Sequence, residues 1–515
     1  MAKKLTCLAL ALVMVFALAA CGDGSPAQTP GGTQAPATQA PANTATPEPA
    51  EDPVQINLVA IQLGAQDDLP LVTEEINKIL LAEANTTFNL NALSISAFRE
   101  QINLMFAAQE KIDLVMTGAS FFFADHAGKG YYEPLNDLLD THGQGVKEKL
   151  TEKYYAAARS ADGNIYGITP LRDLAFGRAL EVRKDLIDKY NLDFSGVKSV
   201  PDAEAIFQTI KENEPDLIPV GDQISYNLAT GWPGIGGFDT LGGTDGIGLT
   251  DPLNSLEVSL LSESDIYMGT LLKIRDFYLK GYLPKDGVTD ETTGQDFVKA
   301  GRMFAYNTNY HANSNTQARD LTGMEMSEFQ TLPIRATTAT VTGFMWAIPI
   351  FAESPAASMK TLDVMYTNEA FMNLICWGIE GKHYVWNDAH THIDYPEGVS
   401  GDNVGFKLGV NWIWGNQFLT YPWEGAPTDT WDRMNSDNLN AEVSLATGFT
   451  FDTTNVKTQY SGVAGVVDEF QRALYCGMSD PETVVPEFVS KLKSVGAEDI
   501  IAEKQAQLDT WAANQ

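Results

Sequence analysis

Asp162–Leu192, DGNIYGITPLRDLAFGRALEVRKDLIDKYNL, marks a break in the chain. It opens as a glycine-bounded strand, passes Pro170, and enters an amphipathic helix. Proline removes a backbone donor and biases the residue before it toward extended backbone, so the stretch leaves one unit before the helix begins another. Ala339–Tyr366, ATVTGFMWAIPIFAESPAASMKTLDVMY, repeats the pattern: an extended apolar segment, Pro349, then a helix after Ser354-Pro355.

Ahead of the first break the periodicity alternates. VQINLVAIQL (Val54–Leu63) has the two-residue spacing of a strand, and Val72, Ile76, Ile79 and Glu83 follow at helical spacing. FNLNALSI, the helical FREQINLMFAAQE and the strand KIDLVMTG come next, ending in the loop SFFFADHAGKG. Strand and helix in alternation predict an α/β unit with a parallel sheet covered on both faces. Ligands of such sheets sit beyond the carboxyl ends of the strands. Near the other terminus, SDPETVVPEFVSKLKSVGAEDIIAEKQAQLDTW is helical. Ser479 and Glu482 have capping-box spacing, Pro481 suits a first turn, and Gly496 separates two helices.

The N-terminus, MAKKLTCLALALVMVFALAACGDGS, has Lys3 and Lys4 before an apolar run that closes on Leu18-Ala19-Ala20-Cys21. This predicts an export signal over residues 1–20 rather than a membrane span. LAAC resembles a bacterial lipobox, which implies diacylation of Cys21 and a stable lipid anchor. Gly22–Pro53 is rich in Pro, Thr, Ala and Gln and reads as a disordered linker, about 30 Å across as a flexible coil and ~100 Å when extended. The remainder exceeds what one core usually supports, so two lobes are expected.

The net charge is −33, and loss of Lys3 and Lys4 with the signal takes it two units further down. The acidic residues are scattered, and nucleic acid is a poor partner for this field. Of four cysteines, Cys376 and Cys476 remain in the body. Both lie in apolar contexts, which predicts small buried residues, with a disulfide between them as the alternative.

Several stretches together resemble family 1 of the extracellular solute-binding proteins of ABC importers, in the subgroup with an extra uncharacterised C-terminal domain. The residues carrying the likeness are Lys111–Asp140, DGNIYGI with VRKDLIDKYNL, MWAIPIFAESPAASMKTLDVMYTNEAFMNLICWGIEGKHYVW, GNQFLTYP and the terminal DPETVVPEFVSKLKSVGAEDIIAEKQAQLDTW. The resemblance covers nearly all of Val54–Gln515. It implies an α/β, two-lobe, periplasmic-binding-protein-like clamp of type II. Each lobe would be a mainly parallel sheet flanked by helices, with added C-terminal helices. Residues 54–170 and 341–408 would build lobe one, 171–340 lobe two, and 409–515 would complete lobe two and the C-terminal helices. Closure on a solute would present the clamp, a monomer on the extracytoplasmic face, to a membrane permease. A receptor feeding a sensor kinase is a further possibility of the same class. No cofactor is implied.

Within DAHTHID (Asp388–Asp394), His390 and His392 have the H-x-H spacing that opens amidohydrolase metal sites. No histidine follows His392, and too little chain remains to supply the other ligands. On a strand the four polar residues would share one face. The expectation is a hairpin's wet side, with no metal and no catalysis. Asp67-Asp68 and Glu74-Glu75 are sequence neighbours, which does not make two carboxylates flank one bond. No G-x-S-x-G elbow or phosphate-loop spacing occurs. Glu380 and His383 belong to the structural signature of the resemblance.

Aromatic supply points to a sugar-like ligand, because flat rings give apolar area while amide, hydroxyl and guanidinium groups orient. The candidate ligand-binding residues are Ser120, Phe121, Arg172, Asp173, Trp232, Tyr306, Asn309, Trp346, Trp414 and Asn416. The expected function is a lipid-anchored receptor delivering an oligosaccharide or other sugar to an importer. A receptor for a peptide or other polar nutrient, or a surface-tethered glycan hydrolase, is the alternative.

Overall fold

The computed structural model describes residues 52–513 apart from 120, 156–158, 161, 224–227, 291, 313 and 402. The expected signal peptide, Cys21 and all but the last two linker residues lie outside them, as does Ser120. Among the described residues no helix is long and apolar enough to cross a membrane.

The first sheet has four strands in the order Met345–Ala347, Leu114–Thr117, Val54–Ile61, Thr86–Leu93. The last three are parallel, and Met345–Ala347 pairs antiparallel at the edge through Trp346 opposite Met116. Alternation holds only at the start of the central strand, because Leu58 to Ile61 are all buried. Both faces of a parallel strand are covered by helices, which favours a continuous apolar run. Val72, Ile76 and Leu80 bury one face of the helix Leu69–Glu83 against it, while Glu83 points to solvent.

The second sheet has five strands in the order Glu442–Val443, Met326–Ala336, Phe176–Arg183, Met303–Tyr310, Ile218–Asp222. It is mixed rather than mainly parallel. Phe176–Arg183 arrives directly from the first lobe and runs antiparallel to both neighbours, whereas the outer pairs are parallel. The expected class, an α/β fold of two lobes, holds with this difference in the second sheet.

Three crossings join the lobes. In the first, Ile168 and Trp346 exchange backbone hydrogen bonds of 2.9 and 2.8 Å, and the chain leaves through Pro170. In the second, the segment expected to be extended begins as a one-turn helix, Thr338–Thr342. Thr337 and Thr340 form a reciprocal capping box there, satisfying donors that a strand would have paired with a neighbour. The third crossing lies at Ala441–Ala446, where Ser444 donates to the Ala336 carbonyl. A return near Gly409 was expected, but Val410, Ile413 and Trp414 pack into the first core and the second resumes at Ala446.

Three helices close the chain: Lys457–Tyr475, Pro481–Ser494 and Ala497–Ala512. Asp480, not Ser479, caps the second, its carboxylate accepting the Glu482 N–H at 3.2 Å. Gly496 turns the chain into the third with φ of 100°, where a Cβ would meet the Gln459 side chain at 2.4 Å. Cys376 lies in the first core, whereas Cys476 ends the helix Lys457–Tyr475 beside Gly287. Both are free thiols, so the disulfide alternative falls.

Candidate functional site

The principal recess lies between the lobes, beside the first two crossings, with a volume of ≈ 560 Å³. The hinge itself contributes Arg172 and Asp173. Arg172 is almost fully buried and donates to the Asp173 carbonyl at 2.6 Å, the Asp173 carboxylate at 3.2 Å and the Thr340 carbonyl at 2.7 Å. The last bond ties the first crossing to the second. Its guanidinium also lies 5.5 Å from the Phe344 ring centroid.

The second lobe supplies the carboxyl ends of two parallel strands. Ile218–Asp222 delivers Gln223, and Met303–Tyr310 delivers Tyr306, Thr308 and Asn309. These polar groups are positioned before any ligand arrives. Thr308 donates to Gln223 at 3.2 Å, and Arg178 donates to Asn309 Oδ1 at 2.5 Å and Thr230 at 2.9 Å. Arg178 also pairs with buried Asp222 at 3.2 Å, which in turn accepts from Asn307 at 2.6 Å. Burial pulls the Arg178 pKa down and Asp222 opposes it. The helix Ser314–Thr322 forms a further wall through Gln317 and Leu321, and the first lobe adds Phe344 and Trp412. A side recess of ≈ 270 Å³ shares Phe176 and Thr340 with the main one.

Below this floor lie two carboxylates. Glu181 and Glu328 are cross-strand partners, and Glu181 is fully buried. Burial first, then the charge of Glu328, pushes the Glu181 pKa up to about 8. Ser314 donates to Glu328 and Asn315 donates to Glu181 at 3.2 Å.

The candidates from sequence therefore separate. Arg172, Asp173, Tyr306 and Asn309 meet at the recess, Tyr306 as a buried backing whose phenol burial holds in the protonated form. Trp346 and Trp414 do not line it. They pack on each other at 5.2 Å inside the first core, and Trp346 donates to the Ile413 carbonyl at 2.7 Å. Phe121 packs edge-on against Phe98 in the same core. Trp232 stands edge-on to Phe277 in the second core. Asn416 is a backbone latch: its side chain caps the turn Gln417–Leu419 and donates to the Tyr366 carbonyl.

Lining residues absent from the expected set include the rings of Phe176, Phe344 and Trp412 and the amide of Gln223. Trp412 and Trp414 would share one face of a strand, but the 3-10 turn Asn411–Ile413 turns them apart. Trp414 goes to the core and Trp412 stays half-exposed. Within DAHTHID only Ile393 and Asp394 are in a strand, and Asp388–His392 are not. A tight loop with His390 at φ 55° joins Val385–Trp386 to Ile393–Asp394. Exposed His390 stacks on Trp386, while buried His392 is engaged by Thr391 and the Ala426 carbonyl. His383 accepts the Ile379 N–H at 2.8 Å and reaches Asp68 at 3.1 Å, and Lys382 pairs with the same carboxylate. His383 first, then Lys382, holds the Asp68 pKa below the usual carboxylate value.

Two α/β lobes, three crossings and a recess at the strand ends define the fold of a type II solute-binding protein. The comparisons with known proteins agree. The chain is 27% identical over 473 residues to a carbohydrate ABC transporter substrate-binding protein of Streptococcus pneumoniae serotype 4, covering 88% of this chain and 90% of that one. Its fold is similar to the N-glycan transport solute-binding protein of Streptococcus pneumoniae, with TM-score 0.78, 23% identity, and 90% and 99% of the two chains covered. An HMO-binding, ABC-transporter-associated solute-binding protein of Bifidobacterium longum infantis aligns at TM-score 0.62 with 15% identity, covering 90% and 100%. Residues 445–513 match a domain of unknown function, DUF3502. The resemblance to solute-binding proteins with an extra C-terminal domain is thereby borne out.

Proposed function

We propose that this chain is the solute-binding receptor of an ABC importer and that its ligand is a neutral oligosaccharide. The observation that carries the reading is the lining of the ≈ 560 Å³ recess. Aromatic faces from Phe176, Phe344 and Trp412 stand beside fixed amide and hydroxyl groups, and the walls come from both lobes. Rings stack on the apolar faces of sugars, while pre-placed donors and acceptors orient hydroxyls without an ordering cost at the moment of binding. A ligand touching both lobes stabilises the closed state by its differential affinity alone.

The charge of the lining favours a neutral solute. Among the described lining residues the one guanidinium, Arg172, is already held by Asp173 and Thr340. A peptide's carboxylate or an acidic sugar would have to displace those partners. A hydrolase needs two carboxylates facing one bond. The described lining offers only Asp173, and Glu181 is buried within the sheet below it. Export, lipid anchoring through Cys21, a monomeric state and delivery to a permease complete the proposal.

Thermal melts of the full-length chain against neutral oligosaccharides, acidic sugars and short peptides test it, with mass spectrometry of the sugar afterwards. A neutral oligosaccharide at a hundred times its dissociation constant adds about 2.7 kcal/mol and raises the midpoint. A shift with peptides alone, or a cleaved sugar, overturns the reading.

A further inference from the structure

A second interlobe recess lies on the other side of the one-turn helix Thr338–Thr342. Ala339, Thr340 and Gly343 face the main recess, whereas Thr338 and Thr342 line a pocket of ≈ 110 Å³ with Phe123 and Tyr460. That pocket shares Ala124, Phe449 and Thr450 with a groove of ≈ 530 Å³, nearly the size of the main recess. Each of the two large spaces is in the range that small-molecule sites occupy, about 300–1,000 Å³.

The groove has one wall from each lobe. The first lobe provides the helix Phe123–Gly128 through Ala124 and Gly128, together with Arg159, Ser160, Asp162 and Tyr166. The segment matching DUF3502 provides the other wall through its last helix, Ala497–Ala512. Glu503, Gln507, Thr510 and Trp511 recur there at three- and four-residue steps, so they share one helix face. Ile500, Lys504 and Leu508 lie on the adjoining face and are buried in the second lobe, and Trp511 sits where the two faces meet. The helix thus presents a polar and aromatic face across the groove toward the other lobe.

That face is ordered without a ligand. Gln507 donates to the Asp452 carbonyl at 2.8 Å and Glu503 at 2.7 Å, and accepts the Asp452 N–H at 2.9 Å. Asn455 donates to Glu503 at 3.0 Å. Across the groove the Tyr166 hydroxyl donates to Asp162 at 2.7 Å. Trp511 is 93% buried, being 7% exposed, and stands edge-on to Phe449 with 6.0 Å between centroids. Its indole N–H has no hydrogen-bond partner among the described residues. The indole nitrogen itself is shielded from solvent, so Trp511 offers the groove only the small part of its ring that stays exposed.

We propose that this groove is a second glycan subsite, built by the C-terminal domain. It takes the distal units of a long or branched neutral oligosaccharide whose first units fill the main recess. Tyr166 supplies a ring face and Trp511 the exposed part of its indole, Glu503 and Gln507 accept from sugar hydroxyls, and the ligand passes the crossing helix Thr338–Thr342. The inference rests on the receptor reading above and gives the DUF3502 segment a role in selecting ligand length.

The test titrates the full-length chain calorimetrically with manno-, malto- and cello-oligosaccharides from dimers to hexamers. Wild type is compared with Ala506→Arg, Trp511→Phe and Trp412→Ala. Ala506 is an exposed residue on the groove face, so its replacement fills the groove without entering the core. Trp511→Phe keeps an aromatic ring in the wall but removes the indole donor and part of the ring area. The expected result is tighter binding with length in wild type, lost by about tenfold or more for the longest ligands in Ala506→Arg and Trp511→Phe. The shortest ligands bind those two variants as they do wild type, whereas Trp412→Ala weakens every length. Unchanged length dependence in both groove variants overturns the subsite while leaving the receptor reading intact. Failure of every oligosaccharide to bind wild type overturns both.

Discussion

Lys504 offers the sharpest stability experiment. It lies in the last helix, and both it and Asp245 are fully buried. The ammonium donates to Asp245 at 3.1 and 2.9 Å and to the Ile247 carbonyl at 2.8 Å, 4.9 Å from the Phe451 ring centroid. All three of its donors are thereby used. Burial pulls the Lys504 pKa down, and the Asp245 charge resists that pull. Lys504→Met keeps most of the volume and leaves a buried carboxylate with the Ile247 N–H at 3.2 Å. Breaking a buried pair from one side costs about 3–5 kcal/mol, whereas replacing both partners by apolar groups is close to neutral. The assay is urea unfolding followed by circular dichroism. With a slope of about 3 kcal/mol/M, the single variant's midpoint drops by about 1–1.7 M. Lys504→Met with Asp245→Leu recovers most of the loss. A single variant within about 0.2 M of wild type, or a double variant no better than the single, refutes the account.

Three other outcomes are expected. Glu181 keeps its proton in the folded chain up to about pH 8 but loses it near the ordinary carboxylate pKa when unfolded. Its contribution is therefore complete below about pH 4 and is lost as pH rises toward 8, so Glu181→Gln flattens the fall of the melting temperature across that window. Trp412→Ala weakens oligosaccharide binding with little change in melting temperature, whereas Trp346→Ala costs about 3–5 kcal/mol of stability, and calorimetry beside chemical denaturation separates the two. Gly496→Ala forces a side chain into positive φ against Gln459 and costs about 1–3 kcal/mol, read as a lower denaturant midpoint without a change in ligand affinity.

The lobes were legible because their signals are local. Parallel strands and amphipathic helices write their burial into spacings of two and 3.6 residues, and Pro170 punctuates the chain where it leaves the first lobe, Pro349 just after it has returned. The cap at Asp480 was missed by one residue, since Ser479 offers the same chemistry and only the backbone angles choose between them. The recess was harder to read. Arg172 and Asp173 stand beside a crossing that the sequence marks, so position alone brought them forward. Trp346 and Trp414 stand beside crossings too, yet their rings turn inward and pack on each other in the first core.

The sequence by itself determined a two-lobe α/β body and a helical C-terminus, because hydrophobic periodicity and turn residues act over a few positions. Only the tertiary structure decided which rings face the cleft. Trp412 and Trp414 are two residues apart and chemically identical, and a single 3-10 turn sends one to each side. It also decided that the last helix faces the first lobe across a groove. That contact joins residues more than three hundred positions apart, brought together by the packing of two separate cores rather than by any local preference.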